Sequence, residues 1–242
     1  MRLYIKLTLL ILLSSLTFAL DLSRSDFDRR IDGEGGYREV VLSNHSDKTI
    51  RYKFSVSKGK GERDMSQWVE LYPKVMTIPP LEKRTLKIYA KSPIDTLKGE
   101  YSFYLNIDDL IVPTLKVPEQ GKVRGTATIS FAPSIEMLGY VGEPEYEKTI
   151  KFNNIKFEES LKKQYILGKL SNEGDIGANL VLRYLGSNEF VLGEKWLGRI
   201  GRKSFHNIKV DLGNGFKIKD IKKLQIYDGN DINRKVIKEI KI

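Results

Sequence analysis

Histidine and cysteine carry much of the general-base and nucleophilic chemistry of proteins. This sequence holds two histidines, His45 and His206, and no cysteine. His45 falls in the turn-forming run Asn44-His45-Ser46-Asp47, and His206 stands at the start of an alternating stretch. Neither lies in a G-x-S-x-G or H-E-x-x-H pattern, so both read as solvated or capping residues and no catalytic residue is assigned. Carboxylates cluster at Asp108-Asp109 and in Asp228-Gly229-Asn230-Asp231-Ile232-Asn233. The second group has the oxygen density of a calcium loop but no bidentate Glu at the required distance. It reads as a hairpin turn, and no metal is expected. Without cysteine, neither disulfides nor thiolate metal sites can form. The Gly-Lys-Gly of KGKGERD lacks the downstream GK[ST] of a phosphate cradle, so no cofactor is expected either. What remains is basic charge: 41 Lys plus Arg against 31 Asp plus Glu give a formal net charge of +10. The lysines are spread along the chain rather than run together, and no helix-turn-helix, RNP or zinc-finger pattern accompanies them. A nucleic-acid partner is therefore not expected, although a basic surface attracts acidic partners and anionic envelope polymers.

The elements that would position any site are strands. Leu86, Ile88 and Ala90 alternate with Thr85, Lys87 and Tyr89; Tyr101, Phe103, Leu105 and Ile107 alternate with Ser102, Tyr104 and Asn106; Ile50, Tyr52, Phe54 and Val56 alternate with Arg51, Lys53 and Ser55. Period two with one apolar face means half-buried strands. Pro79-Pro80 donates no backbone hydrogen bonds and marks a corner between them. Asp26 to Ile31 reads as a first strand, and VRGTATISFAP as the last strand of a first domain, ended by Pro133. Leu42-Ser43-Asn44-x-x-Asp47 recurs as Leu170-Ser171-Asn172-x-x-Asp175, each copy closing an apolar run before a turn. The repeat points to two tandem sandwiches of about 100 residues each. Asn153 to Lys163 is the one stretch with the look of a short helix. Residues 1–19 read as a secretory signal, with Arg2 and Lys6 before the apolar run Leu7 to Phe18 and a Thr17-Phe18-Ala19 cleavage site. That run is shorter than the roughly 20 residues of a spanning helix, so an exported chain with no stable membrane span after cleavage is expected.

The stretch Gln67 to Ile107 resembles the N-terminal domain of the periplasmic pilus-assembly (fimbrial) chaperones. The features that carry the resemblance are Trp68, the Pro79-Pro80 corner, the basic alternating strand Lys83 to Ala90, GEYSFYLNI in the E-x-x-F-x-x-N position, and Pro113 after it. The resemblance implies an all-β protein of two tandem immunoglobulin-like β-sandwich domains, here residues 20–132 and 133–242 after a signal peptide over 1–19. It implies a non-enzymatic periplasmic or otherwise exported chaperone, whose partners are protein subunits of a surface structure held by β-strand pairing. In that family an Arg on the first strand and a Lys on the last strand of the N-terminal domain hold the subunit's terminal carboxylate. Here Asp28 stands at the Arg position with Arg29 and Arg30 just beyond it, and Thr128 stands at the Lys position with Arg124 the nearest basic residue. The implied partner-binding residues are thus Arg29, Arg30, Val123, Arg124, Ala127, Ile129 and Phe131, with Leu115 and Val117 as alternative groove-fillers. A structural or adhesive envelope protein built from the same domains is the competing reading, since the sandwich hosts many functions.

Overall fold

The computed structural model describes residues 20–23, 26–110, 132–160, 163–213 and 217–242. The expected signal segment and the stretch Val123 to Phe131 lie outside them. The chain is all-β and divides into two units, the first running through Thr96 and from Tyr101 to Val141, the second comprising Leu97–Glu100 and Gly142–Ile242.

In the first unit, β1 (Leu20–Leu22), β3 (Gly36–Asn44), β7 (Lys83–Ala90) and β5 (Val69–Tyr72) form one sheet in the order β1-β3-β7-β5. The facing sheet runs β2-β9-β8-β4-β6 and is built from β2 (Arg29–Arg30), β9 (Ser134–Val141), β8 (Gly99–Asp109), β4 (Ile50–Lys58) and β6 (Val75–Ile78). The alternating residues read from sequence fill the space between them: Leu86, Ile88 and Ala90 from β7, and Phe103, Leu105 and Ile107 from β8, are fully buried. Ser102 breaks the alternation, being buried although it lies on the outer face. The 59–61 loop crosses it so closely that a Cβ on Gly59 would sit 2.1 Å from the Ser102 hydroxyl, which is why that loop needs its glycine.

In the second unit, β10 (Ile150–Ser160), β11 (Lys163–Asn172) and β14 (Ser204–Asp211) form a three-stranded sheet. β13 (Val191–Ile200), β12 (Ala178–Leu185), β15 (Lys223–Asp228) and β16 (Val236–Lys241) form a four-stranded one in the order β13-β12-β15-β16. Each unit has its own apolar core. The second repeats the central pairings of the first, β11 with β14 as β3 with β7 and β12 with β15 as β4 with β8, and each is an immunoglobulin-like sandwich.

Three expectations change. Ser134–Val141, assigned from sequence to the second domain, is a strand of the first unit's sheet, and the division falls after Val141. Pro133 directly precedes this strand: its carbonyl accepts from the Ile107 N–H at 3.0 Å, and a proline at strand entry forfeits no ladder bond; the last strand expected before it lies outside the described residues. The strand expected over Asp26 to Ile31 is only Arg29–Arg30, follows β1 and runs parallel to β9. The described part of Asn153 to Lys163 is strand, Asn153 to Ser160 in β10 and Lys163 opening β11, and the short helix α1 (Tyr146–Thr149) precedes it. The Asp228 to Asn233 run forms the expected turn between β15 and β16, with the Asp228 and Asp231 carboxylates accepting from the backbone N–H of Asn230 and Asn233.

Candidate functional site

The candidate site is the edge of the first unit's sheet where β2 meets β9. β1 pairs with β3 in one sheet, and the chain then crosses to the other sheet to form β2. Phe27 is fully buried at this crossing, and Asp28 is buried with φ at +37°. Gly36 makes the crossing possible: a Cβ there would lie 2.7 Å from the Arg30 carbonyl oxygen and 2.8 Å from the Arg29 Cβ. Arg38 fixes it from below. Its guanidinium, 8% exposed, donates to the Asp26 carboxylate at 2.9 Å and the Asp26 carbonyl at 3.2 Å.

β2 covers little of its neighbour. Arg29 pairs with Gly139 and Arg30 with Tyr140, and the Ile31 N–H donates to the Tyr140 carbonyl at 2.9 Å. Among the described residues no strand lies beside Ser134 to Leu138 on that side. Met137 and Val141 of β9 are buried in the core, Ile135 packs against it, and Ser134 and Glu136 are exposed. The start of β9 is tied across the sheet by side chains: Ser134 Oγ donates to Asn106 Oδ1 at 2.7 Å, and Asn106 Nδ2 donates to Ser57 Oγ at 2.9 Å. At the end of β8, burial and then the Asp109 carboxylate raise the pKa of the Tyr52 phenol, keeping it neutral.

The two arginines differ. Arg30 grips Asp32 through both guanidinium arms. Arg29, half-buried, makes no ion pair among the described residues. Chemically the edge offers a row of backbone donors and acceptors with one guanidinium beside it, which suits an extended chain and a carboxylate. Of the residues read from sequence, Arg29 and Arg30 come together here, while Val123, Arg124, Ala127, Ile129 and Phe131 lie outside the described residues. Arg38 was not singled out from sequence; its signal was a basic residue in phase with the inward-facing Val40 and Leu42. His45 and His206 are both exposed. Among the described residues no group of three or more His, Asp or Glu could hold a metal ion, and no helix is long and apolar enough to cross a membrane.

No family model matches the chain, and no curated protein does. Among solved structures it is similar to the YadV chaperone, at 14% identity over 93% of this chain and 100% of that one, with a TM-score of 0.46. It is similar also to the E. coli chaperone DraB, at 12% identity over 93% and 98% with a TM-score of 0.46. A third is the CsuC–CsuE chaperone–tip subunit pre-assembly complex of the archaic chaperone-usher Csu pili of Acinetobacter baumannii, at 17% identity over 92% and 98% with a TM-score of 0.41.

Proposed function

We propose that this chain is an exported, non-enzymatic assembly chaperone that holds subunits of a surface structure by adding its sheet edge to theirs. The observation that carries the proposal is the exposed side of β9, which among the described residues is paired only at Gly139 and Tyr140 and has Arg29 beside it without an ion pair. A partner strand laid there gains about 0.5–1.5 kcal/mol net per main-chain hydrogen bond, and about 1.5–3 kcal/mol for each large apolar side chain it buries. The pairing edge extends upstream through Val123 to Phe131, where Ile129 and Phe131 are the large apolar residues. Arg29 receives a terminal carboxylate of the subunit, a role that Arg30 is less suited to because Asp32 occupies it. The compartment is the periplasm or another exported space.

The test is capture of partners by the mature chain in its own envelope extract, followed by their identification. The proposal expects subunits of one surface structure. Ile129→Lys, shown first to be folded by its circular dichroism and urea midpoint, places a charge in the partner's groove and is expected to abolish capture. A folded variant that still captures at the wild-type level rejects strand pairing at this edge. Recovery of a polymer or a static envelope component instead of subunits favours a structural or adhesive role.

A further inference from the structure

The outer face of the three-stranded sheet of the second unit has a composition that strand pairing does not use. Phe152, Ile166, Leu170 and Val210 point into the core, so their alternate neighbours face out. A bulge in β10 between Asn153 and Lys156, with Asn154 at φ +57°, resets the phase so that Lys156 stands beside the outward Leu167. Across the sheet one row reads Lys156, Leu167, Lys209, and the next reads Asn153, Lys169, Asn207. Two rings on this face are each capped by an ammonium group: Lys169 lies 4.1 Å from the Phe205 ring centroid and Lys209 lies 4.2 Å from that of Tyr165. Phe205 is 59% exposed.

The carboxylates present do not neutralise the face. Glu158 pairs with Lys209 at 3.0 Å, Asp211 with Lys163 at 3.3 Å and Glu173 with Lys151 at 2.9 Å, all between exposed groups. Such pairs are weak and exchange partners readily. Lys156 and Lys169 have no carboxylate partner among the described residues. The positive charge is therefore displayed in two dimensions, in rows about 7 Å apart along strands about 4.8 Å apart. A single acidic chain follows a line of charge, whereas a two-dimensional array of ammonium groups interspersed with Phe205, Tyr165 and Leu167 matches a surface of anionic headgroups over an apolar layer.

We infer that this face docks the protein onto the surface of an anionic lipid bilayer, the lysines meeting headgroup phosphates and Phe205 entering the interface. The inference is independent of strand pairing in the first unit. The experiment is co-sedimentation of the mature chain with phosphatidylcholine vesicles and with phosphatidylcholine–phosphatidylglycerol vesicles. Binding is expected only to the second, weakening as salt rises. At about fivefold per lysine, Lys156→Gln with Lys169→Gln is expected to weaken it about 30-fold, while Lys238→Gln with Lys241→Gln, which removes equal charge from the other sheet, leaves it within about twofold. Phe205→Ser is expected to weaken it further without changing the salt dependence. Three results overturn the inference: equal losses in the two double variants, which would mean net charge alone; release by inorganic phosphate beyond that caused by chloride of equal ionic strength, which would mean a phosphate-ion site; or binding of soluble polyglutamate as tight as that of vesicles and equally dependent on Lys156 and Lys169, which would mean an acidic-chain site.

Discussion

Replacing Asn44 by alanine is expected to destabilise the first unit by several hydrogen bonds' worth of free energy. Asn44 ends β3 and is 1% exposed. Its Nδ2 donates to the carbonyls of Lys48 at 2.8 Å, Ile78 at 3.0 Å and Pro79 at 3.0 Å, and its Oδ1 accepts from the Ser46 N–H at 2.9 Å and hydroxyl at 2.7 Å. One amide thus ties the end of β3 to its following turn and to the proline corner. Alanine leaves the buried Ile78 carbonyl without this donor, at about 1–3 kcal/mol, and loses the less buried bonds at about 0.5–1.5 kcal/mol each. Allowing for rehydration of the exposed partners, the loss is about 3–5 kcal/mol. Asn172 does the same work in the second unit with fewer bonds: Nδ2 to the carbonyls of Ile176 at 2.9 Å and Gly201 at 3.2 Å, and Oδ1 from the Gly174 N–H at 2.9 Å. Its alanine variant is expected to lose about 2–4 kcal/mol. In urea, with a slope of about 2 kcal/mol per molar, Asn44→Ala lowers the midpoint of the first unit by about 2 M. Asn44→Asp is expected to be worse, because it turns a carboxylate oxygen toward carbonyls in a buried site. A loss under about 1 kcal/mol for Asn44→Ala, or an Asp variant as stable as wild type, would refute this account of the repeat.

Two further perturbations test the packing around each unit. Arg38→Ala is expected to destabilise the first unit by about 2 kcal/mol, at the low end for a charge-assisted pair because Asp26 is 46% exposed and rehydrates; an unchanged urea midpoint would mean that the Asp26 contact does not secure the crossing to β2. In the second unit, hydrogen bonds from Lys98 and Lys148 hold the Glu145 carboxyl at about 2, below its ordinary 4.5. A folded-state pKa lowered in this way contributes stability that is complete above the unfolded value and is lost as pH falls from about 4.5 to about 2. The difference in urea midpoint between wild type and Glu145→Gln is therefore expected at neutral pH and absent below that window, and a difference that persists in acid contradicts the assignment.

The strands were legible where alternation is uninterrupted, as in Lys83 to Ala90 and Tyr101 to Ile107. They were obscured where the backbone departs from period two. The bulge at Asn153/Lys156 brings Phe152, Ile155 and Phe157 to one side at spacings of three and two, which imitates a helix. In β9 the inward position 139 is a glycine, so the apolar phase of Ile135, Met137 and Val141 is broken just where Pro133 suggests an ending. The recurring Leu-Ser-Asn was visible as a repeat, but its purpose depends on carbonyls from segments far along the chain, which no local pattern reveals. The same holds at the candidate site. Arg29 and Arg30 stand out as a basic pair, yet only the Asp32 contact and the parallel register with β9 distinguish one from the other.

In the proposed mode the edge of β9 and the residues before it receive a strand from a surface subunit. Hydrogen–deuterium exchange of the mature chain, alone and in complex with a subunit captured from the envelope, tests it most directly. New protection is expected across residues 123–138 and at Arg29, with Arg29→Ala weakening the complex more than Arg30→Ala. A stable complex whose protection falls wholly outside these residues would contradict it.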